Sequence, residues 1–254
     1  DPAKTRPLNS DELARFSKEL QGNTHIVLND DIKRVAKEVV GDEQNPILAA
    51  RKMYDWVLGH VHYWVKDPAE KNTLKASATG SSEHCFTTKT GNCTDFHSLY
   101  VALSRAAGFP CRLVYGSFFK ASLDGQDADQ SYHCWPEFYV PNYGWVSHDV
   151  AIADMFVADY TVTDANKKRV TLTTADGAAQ GQADKAMVDY YFGNLDSRRV
   201  TWNIGRDLTL APKQDGGPVN ALFTAYVEVD GVMLPQKNGD AFNWTRKLTF
   251  KEIK

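Results

Sequence analysis

Apolar residues in the first third of the chain recur at intervals of three and four positions, which is the spacing of one helix face. They are Leu13, Phe16, Leu20, Ile32, Val35, Ala36, Val39, Ile47, Met53, Val57 and Val61. Ser10, Asn29 and Asn45 provide N-cap signals before the three groups. Gly22 and Gly41 suit helix C-termini. The pattern predicts three surface helices whose apolar residues serve packing.

The pattern changes after this region. Residues 66–90 are rich in Lys, Thr, Ser and Ala and contain few large apolar side chains, which predicts a long loop leading into a functional site. From Cys111 onward the apolar residues form short runs of the β type at 111–119, 132–140 and 145–150. An antiparallel sheet is therefore expected to follow the helices.

The last hundred residues contain a polar stretch and further short apolar runs. Residues 160–186 are dominated by Thr, Asp, Ala, Gln and Gly and read as an insertion without an assigned function. Strands are expected at 199–204, 221–229 and 245–250, with Asp230-Gly231 as a hairpin turn. Together these patterns predict an α+β protein with an N-terminal helical segment and a C-terminal β extension.

Composition and charge narrow the class of protein. The chain has 254 residues, of which 43% are hydrophobic and 24% are charged, as in one soluble globular domain. Its 29 basic and 32 acidic residues are interleaved, which does not favour nucleic-acid binding, and no apolar run approaches the roughly 18 residues of a membrane span. The chain begins Asp1-Pro2-Ala3 without an initiator Met, so an extracytoplasmic location, periplasmic or secreted, is the favoured expectation.

One of the four cysteines stands at a predicted helix start. Cys93 is expected in the first turn of this helix, with Asn92 as N-cap and Asp95 as its partner in a capping box. The positive end of the helix dipole favours the thiolate, which is the nucleophilic form of cysteine. Gly91 is expected to leave the approach to the sulfur uncrowded. Free N–H groups of the first turn can bind the oxyanion of a tetrahedral intermediate.

The helix is expected to bury one apolar stripe. The stripe consists of Phe96, Leu99, Tyr100, Leu103 and Ala107, and the helix ends near Gly108.

A second segment, residues 132–149, reads as a β-hairpin with His133 near its start and Asp149 near its end. A carboxylate beside an imidazole fixes its tautomer and stabilises its charged form. With a turn at 141–144, a regular ladder places Asp149 opposite Pro136, three residues short of His133. We therefore expect a β-bulge at Pro136, which has no N–H for the ladder.

Four motifs follow one another in this part of the chain. They are Gly91-Asn92-Cys93, Arg105-Ala106-Ala107-Gly108-Phe109-Pro110-Cys111-Arg112, His133-Cys134-Trp135 and Gly144-Trp145-Val146-Ser147-His148-Asp149. In this order they resemble the transglutaminase-like superfamily over roughly residues 85–150, and bacterial members most of all. The resemblance implies a papain-like α+β fold, in which the nucleophile helix packs on an antiparallel β-sheet. It divides the chain into an N-terminal helical segment (1–65), a catalytic core (66–150) and a polar insertion with a β-rich extension of the same domain (151–254).

The resemblance also implies a role for each site residue. Cys93 would be the nucleophile, His133 the general base and then acid, and Asp149 its orienting partner. Family members usually add a side-chain donor to the oxyanion hole from a position upstream of the cysteine. The candidates for this donor or for substrate contact are Tyr63, Trp64, His84 and Trp135, although Trp135 also reads as a core aromatic or as a shield of the His-Asp pair.

Other roles stay open for the nearby polar residues. A zinc site is one alternative, drawn from His84, Cys85, Cys93, His97, His133 and Cys134. Their spacing does not match a structural zinc motif. His97 lies one turn after Cys93 and could compete as the base, although a packed histidine is favoured. Cys134 should face away from His133, as a core cysteine or as half of a disulfide with Cys85, and His148 should face away from the side of the strand that carries Asp149.

The sequence thus predicts a thiol-dependent acyl-transfer enzyme that acts on peptide or carboxamide bonds through a Cys93 thioester. Hydrolysis is the favoured outcome. Transfer to an amine, as in a transglutaminase proper, and a catalytically silent binding module with the same fold are the alternatives. The expected partner is a protein or peptide substrate, with cell-wall peptides among the candidates. No cofactor, metal or nucleic acid is implied.

Overall fold

A computed structural model of the chain describes residues 1–64, 76–129, 131–157, 183–222, 226–234 and 245–253, and the backbone of two short strands at 162–163 and 169–170. Its α-helices are α1 (Ser10–Arg15), α2 (Asp30–Val40), α3 (Pro46–His60), α4 (Ser82–Thr88), α5 (Cys93–Ala106), α6 (Val150–Ala153) and α7 (Lys185–Tyr190). The strands are β1 (His62–Tyr63), β2 (Thr90–Gly91), β3 (Cys111–Phe118), β4 (Tyr132–Val140), β5 (Gly144–Ser147), β6 (Val162–Thr163), β7 (Arg169–Val170), β8 (Arg199–Ile204), β9 (Glu228–Val229) and β10 (Val232–Met233).

A four-stranded antiparallel sheet forms one layer of the fold, in the order β5-β4-β3-β8. The register of β3 against β4 is continuous from Cys111 opposite Phe138 to Ser117 opposite Tyr132. A β-bulge interrupts the pairing of β3 with β8 at Gly116. The expected antiparallel sheet and the α+β architecture are confirmed.

Helix α5 lies at the centre of the molecule, between the sheet and the helices α2, α3 and α4. All of its residues from Cys93 to Arg105 are buried, including polar ones. The prediction of one apolar stripe is therefore wrong, because neighbours cover every side of this helix. Two of its serines bond within the helix: the Ser98 hydroxyl donates to the Thr94 carbonyl, and the Ser104 hydroxyl donates to the Tyr100 carbonyl.

The three predicted N-terminal helices are present as α1, α2 and α3. Asn29 caps α2 and Asn45 caps α3, as expected. The cap of α1 is Asn9 instead of Ser10, because Asn9 forms a reciprocal capping box with Glu12. The strongly amphipathic helix α2 buries Ile32, Val35, Ala36 and Val40 against the core.

The loop expected at 66–90 is shorter than predicted. Residues 82–88 form α4, which Ser81 caps, and residues 90–91 form β2, which pairs with β1 in parallel. Only a narrow side of α4, with Cys85, lies in the core. The helix therefore contains few apolar residues, and the sequence pattern did not predict it. The part of the expected loop at 66–75 lies outside the described residues.

The C-terminal predictions are partly confirmed. Strand β8 has the predicted bounds, and Asp230 and Gly231 form the hairpin turn between β9 and β10 with φ angles of 51° and 77°. Of the run 221–229, the described residues form a strand only at Glu228–Val229. The prediction of a strand at 245–250 is wrong, because this segment forms no strand and pairs only through an isolated β-bridge between Thr249 and Asp127. Most of 160–186 lies outside the described residues.

Within the described residues, none of the helices is both long enough and apolar enough to cross a membrane.

The bulge at Gly116 generates a prediction about stability. A Cβ atom at this position would lie 2.0 Å from the Val200 carbonyl oxygen and 2.9 Å from the Trp135 ring. We expect Gly116→Ala to lower the free energy of unfolding by at least about 2 kcal/mol through overpacking. Gly59→Ala is the control, because it adds a methyl group within α3 where no atom lies within 4 Å, and it should stabilise by up to ~1 kcal/mol. Urea unfolding midpoints measure both, and similar midpoints would contradict the assigned packing.

Candidate active site

The thiol of Cys93 lies in the first turn of α5, at the expected position. The Asn92 side chain accepts from the N–H groups of Thr94 and Asp95, and the Asp95 carboxylate accepts from the Asn92 N–H. Asp95 also accepts hydrogen bonds from Ser77 and from the Ser81 N–H. One buried carboxylate therefore fixes both the helix start and the segment that approaches it.

Gly91 has a different role from the one expected. A Cβ atom at Gly91 would lie 2.3 Å from the Cβ of Asp95. A glycine is required here because the chain passes directly over the Asp95 side chain. Since Asp95 caps the helix that begins at Cys93, Gly91 helps to fix the position of Cys93 indirectly.

His133 and Asp149 are in contact. His133 Nε2 lies 2.7 Å from Asp149 Oδ2, and both side chains are buried. On its other side the imidazole lies next to Cys93, and each side chain stabilises the charged form of the other. The structure therefore brings the three predicted catalytic side chains together in the order thiol, imidazole, carboxylate.

The path of the chain to Asp149 differs from the prediction. The hairpin turn is one residue shorter than assumed, since Val140 pairs with Gly144. The prediction of a bulge at Pro136 is wrong, because β4 and β5 pair in continuous register up to Glu137 opposite Ser147, and the His148 N–H then donates to the Pro136 carbonyl at 3.2 Å. Instead, the chain leaves the sheet after His148, and the Asp149 side chain caps α6 by accepting the Ile152 N–H at 3.0 Å. This capping position turns the carboxylate toward His133.

The electrostatics favour a charged pair of thiolate and imidazolium. A hydrogen bond with Cys134 and the positive charge of His133 hold the pKa of Cys93 well below its ordinary value, against the effect of burial. Burial opposes the charged form of His133, but Asp149 and Cys93 raise its pKa to about 9. Cys93 is thus deprotonated over a pH range in which His133 keeps its proton.

Arg199 is a member of the site that the sequence analysis missed. Its Nη1 donates to Asp149 Oδ2 at 2.6 Å, and its Nη2 donates to Asp196 Oδ2 at 2.8 Å. Burial alone would raise the pKa of Asp149, but His133 and Arg199 hold it well below its ordinary value. Arg199 stands beside Arg198 at the start of β8, so the sequence contained no signal that selects one arginine over the other.

Trp135 packs behind this ion pair. The Arg199 guanidinium carbon lies 5.3 Å from the Trp135 ring centroid and 4.4 Å from that of Phe118. Trp135 is 3% exposed, which favours the core role over substrate contact. Its ring excludes water from the Asp149–Arg199 pair and so strengthens the attraction between the two charges.

His97 and Cys134 complete the surroundings of the thiol. His97 Nε2 lies 3.2 Å from Asp149 Oδ1, and its Nδ1 lies 3.3 Å from the Cys134 sulfur. His97 is completely buried next to Asp149, so it is a packed histidine beside the triad. The alternative of a disulfide between Cys134 and Cys85 is wrong, because both are free thiols.

His148 lies away from this cluster. Its ring is completely buried among Tyr54, Tyr100, Phe138 and Phe192. Burial holds the pKa of His148 well below its ordinary value, so the ring is neutral. This placement agrees with the expectation that His148 faces away from Asp149.

The upstream candidates occupy different places. Tyr63 pairs with Gly91 across β1 and β2, and the Cys93 backbone N–H near its buried phenol partly offsets the rise in the pKa of Tyr63 that burial causes. Trp64 follows β1 and is 40% exposed. His84 lies in α4, where its N–H donates to the Ser81 side chain. Tyr63 is thus the candidate that the structure brings to the thiol.

A small open cavity of about 20 Å³ lies beside Tyr132. It is lined by Tyr115, Gly116, Ser117, Asp129, Tyr132, Trp202, Leu222 and Arg246. Tyr132 forms the wall nearest the thiol, since its hydroxyl lies 2.7 Å from Thr94 Oγ1 and Thr94 follows Cys93 directly. As for metals, the described residues contain no group of three or more His, Cys, Asp or Glu side chains that could hold an ion.

Comparison with known proteins relates part of the chain to a known family. Residues 33–150 match the model of the transglutaminase-like superfamily. An uncharacterized protein of Haemophilus influenzae is 29% identical over 84% of this chain, and the chain spans 56% of that protein's length. The match confirms the resemblance that the sequence motifs carry and the papain-like α+β fold.

Solved structures include similar proteins. A candidate cysteine protease from Cytophaga hutchinsonii is 21% identical, with a TM-score of 0.43 over 78% of this chain and 55% of its own. The periplasmic domain of TgpA from Pseudomonas aeruginosa is 23% identical, with a TM-score of 0.42 over 54% of this chain and 46% of its own.

The buried ion pair of Arg199 generates a prediction about stability. Arg199→Gln leaves Asp149 and Asp196 buried without their shared cation, and we expect a loss of about 3–5 kcal/mol in the free energy of unfolding. Arg198→Gln is the control, because Arg198 pairs with the partly exposed Glu252 and should lose about 1 kcal/mol or less. Thermal and urea unfolding of both variants measure the difference. Equal losses would show that Asp149 does not depend on Arg199.

Proposed function

We propose that this chain is a thiol-dependent acyl-transfer enzyme acting on peptide or carboxamide bonds, since residues 33–150 match the model of the transglutaminase-like superfamily. The observation that carries the proposal is the series of Cys93, His133 and Asp149, in which the imidazole lies between the thiol and the carboxylate. Burial and mutual attraction favour a thiolate beside an imidazolium, which is the state that a cysteine nucleophile requires.

The proposed reaction has two stages. The Cys93 thiolate attacks the carbonyl carbon, and the carbonyl oxygen becomes an oxyanion. His133 then protonates the departing amine as the carbon–nitrogen bond breaks, and a thioester remains on Cys93. In the second stage His133 takes a proton from water, the hydroxide attacks the thioester, and the carboxylic acid leaves as the thiol is restored.

The oxyanion needs donors near the sulfur. The backbone N–H of Cys93 lies at the start of α5, where helix N–H groups have no partner within the helix. The Tyr63 phenol lies near this N–H. A substrate oxyanion would accept from both the N–H and the Tyr63 hydroxyl.

Asp149 holds His133 in the tautomer that this reaction needs. Its carboxylate receives the Nε2–H, so the other ring nitrogen faces Cys93. The charge of Asp149 is itself compensated by Arg199, which limits the extent to which the carboxylate can draw the proton away from His133. Asp149 is therefore an orienting group and not the base.

We propose a peptide or protein as the substrate, because a thiolate beside an imidazolium suits attack on an amide carbonyl. Cell-wall peptides are among the candidates. An extracytoplasmic location belongs to the same proposal, and cell fractionation would test it.

The state of the thiol can be measured directly. We expect iodoacetamide to alkylate Cys93 well below pH 8.5, the ordinary pKa of a thiol, because its thiolate is stabilised. In His133→Ala the profile should move upward, since the positive charge beside the sulfur is lost. Site-resolved mass spectrometry measures each cysteine, with exposed His60→Ala as the control. If Cys93 reacts no faster than the buried Cys85 and Cys111, the proposal fails and a binding module is favoured.

The fate of the thioester separates hydrolysis from transfer. With a glutamine peptide panel, we expect hydrolysed product to dominate even when a labelled primary amine is present. The rate should fall as the pH rises through about 9, because His133 loses the proton it gives to the leaving amine. Cys93→Ala should abolish activity and Cys111→Ala should keep it. Dominant amine incorporation would favour a transglutaminase proper, and full activity in Cys93→Ala would exclude the thiol mechanism.

A further inference from the structure

One oxygen of the Asp149 carboxylate contacts an imidazole and a guanidinium at the same time. Asp149 Oδ2 lies 2.7 Å from His133 Nε2 and 2.6 Å from Arg199 Nη1. The other oxygen, Oδ1, accepts the Ile152 N–H at 3.0 Å and lies 3.2 Å from His97 Nε2. His133 and Arg199 therefore compete for the charge of one oxygen atom.

A closed ring of hydrogen bonds holds Arg199 in this position. Its Nη2 donates to Asp196 Oδ2 at 2.8 Å, and the Tyr191 hydroxyl donates to Asp196 Oδ1 at 3.0 Å. The Tyr191 carbonyl accepts the backbone N–H of Asp149 at 2.9 Å. The ring thus begins and ends at Asp149, so the guanidinium is fixed relative to both the backbone and the carboxylate of that residue.

These charges lie out of contact with bulk water. The side chains of Asp149, Arg199 and Asp196 are 0%, 4% and 6% exposed. The Phe118 ring centroid lies 4.4 Å from the guanidinium carbon of Arg199 and 5.8 Å from the His133 ring centroid. Charges in such surroundings act on one another more strongly than at the surface, and salt screens them less. The Arg199 cation therefore acts on the His133 imidazole as well as on the carboxylate.

The consequence concerns how tightly His133 holds its proton. Asp149 and Cys93 raise the pKa of His133 to about 9, and an acid that holds its proton this tightly is a weak donor to a leaving amine. A positive charge beside an imidazolium disfavours the charged form of the ring. Arg199 thus opposes the effect that Asp149 has on His133.

We propose that Arg199 is a positioning residue that weakens the hold of Asp149 on the His133 proton, so that the imidazolium can release this proton to the leaving amine. Asp196 sets the strength of the effect, because it holds the guanidinium and shares its charge. The inference rests on the proposed function, in which His133 is the acid. Arg199 and Asp196 act through Asp149 and not on the substrate.

Other titratable groups also surround His133 and Asp149. They are Cys93 and His97 of α5, Cys134 of β4, Tyr54 of α3, Tyr63 of β1, His148 before α6 and Tyr191 after α7. Burial raises the pKa of Cys134 and of the three tyrosines, and it lowers the pKa of both of these histidines, so all six are neutral near pH 9. Cys93 is the thiolate and is left unchanged in the variants. The charges of Arg199 and Asp196 can therefore be varied against a constant background.

The test is the titration of the His133 imidazole by NMR in folded protein, together with the pH profile of turnover of the glutamine peptides. In Arg199→Gln we expect the titration and the alkaline limb of turnover to move upward by about one pH unit, because a cation beside the imidazole is lost. In Asp196→Asn both should move downward, because the charge of Arg199 then acts on Asp149 alone.

Arg51→Gln is the matched control. Arg51 also bridges two aspartates, Asp55 and Asp189, but in a partly exposed position on α3, so its loss should leave both profiles unchanged.

A second variant answers the question if Arg199→Gln does not fold. Arg199→Gln/Asp196→Asn replaces both charges with neutral side chains and leaves less buried charge uncompensated. It should move the His133 titration in the same direction as Arg199→Gln, because Arg199 contacts the Asp149 oxygen directly and Asp196 contacts Arg199.

Opposite shifts in Arg199→Gln and Asp196→Asn would support the inference. An unchanged His133 titration in both Arg199 variants would overturn it. Shifts of the same sign in Arg199→Gln and Asp196→Asn would overturn it as well, since they would indicate general loosening of the site and not an effect of charge. If the titrations move as expected but turnover does not depend on Cys93, the proposed function fails while the effect of Arg199 on the His133 proton stands.

Discussion

The rest of the site depends on the interactions of one buried carboxylate, that of Asp149. A carboxylate without solvent is unstable unless charges and donors surround it. Here it is surrounded by His133, Arg199, His97 and the first turn of α6. These groups come from four different parts of the chain, so the charge of one residue determines how the sheet, the central helix and α6 meet.

The second constraint is the position of the thiol at the start of a helix that is covered on all sides. The Asn92–Asp95 capping box gives that helix a defined first residue. The chain must then pass over the Asp95 side chain, which only Gly91 permits. Because neighbours pack on every face of α5, Cys93 cannot move without disturbing the core, and the geometry of the site is set by packing as much as by hydrogen bonds.

The site contains a pair of opposite charges in surroundings that disfavour each charge alone. Burial by itself would keep Cys93 protonated and His133 neutral. Each stabilises the charged form of the other, and Asp149 supports the imidazolium. The thiolate therefore depends on the imidazole, and the imidazolium depends on the carboxylate.

Local signals in the sequence determined the helix start at Cys93, the capping box, the hairpin that carries His133 and the order of the family motifs, since each depends on residues only a few positions apart. The sequence did not determine how Asp149 reaches His133. The chain enters α6 at that point instead of forming a bulge, and only the packing of α6 requires this. Nor did it identify Arg199, 50 residues away from Asp149, or the contact of Cys134 with His97. Such contacts join residues that are far apart along the chain, and their distances are decided by how the helices and the sheet pack.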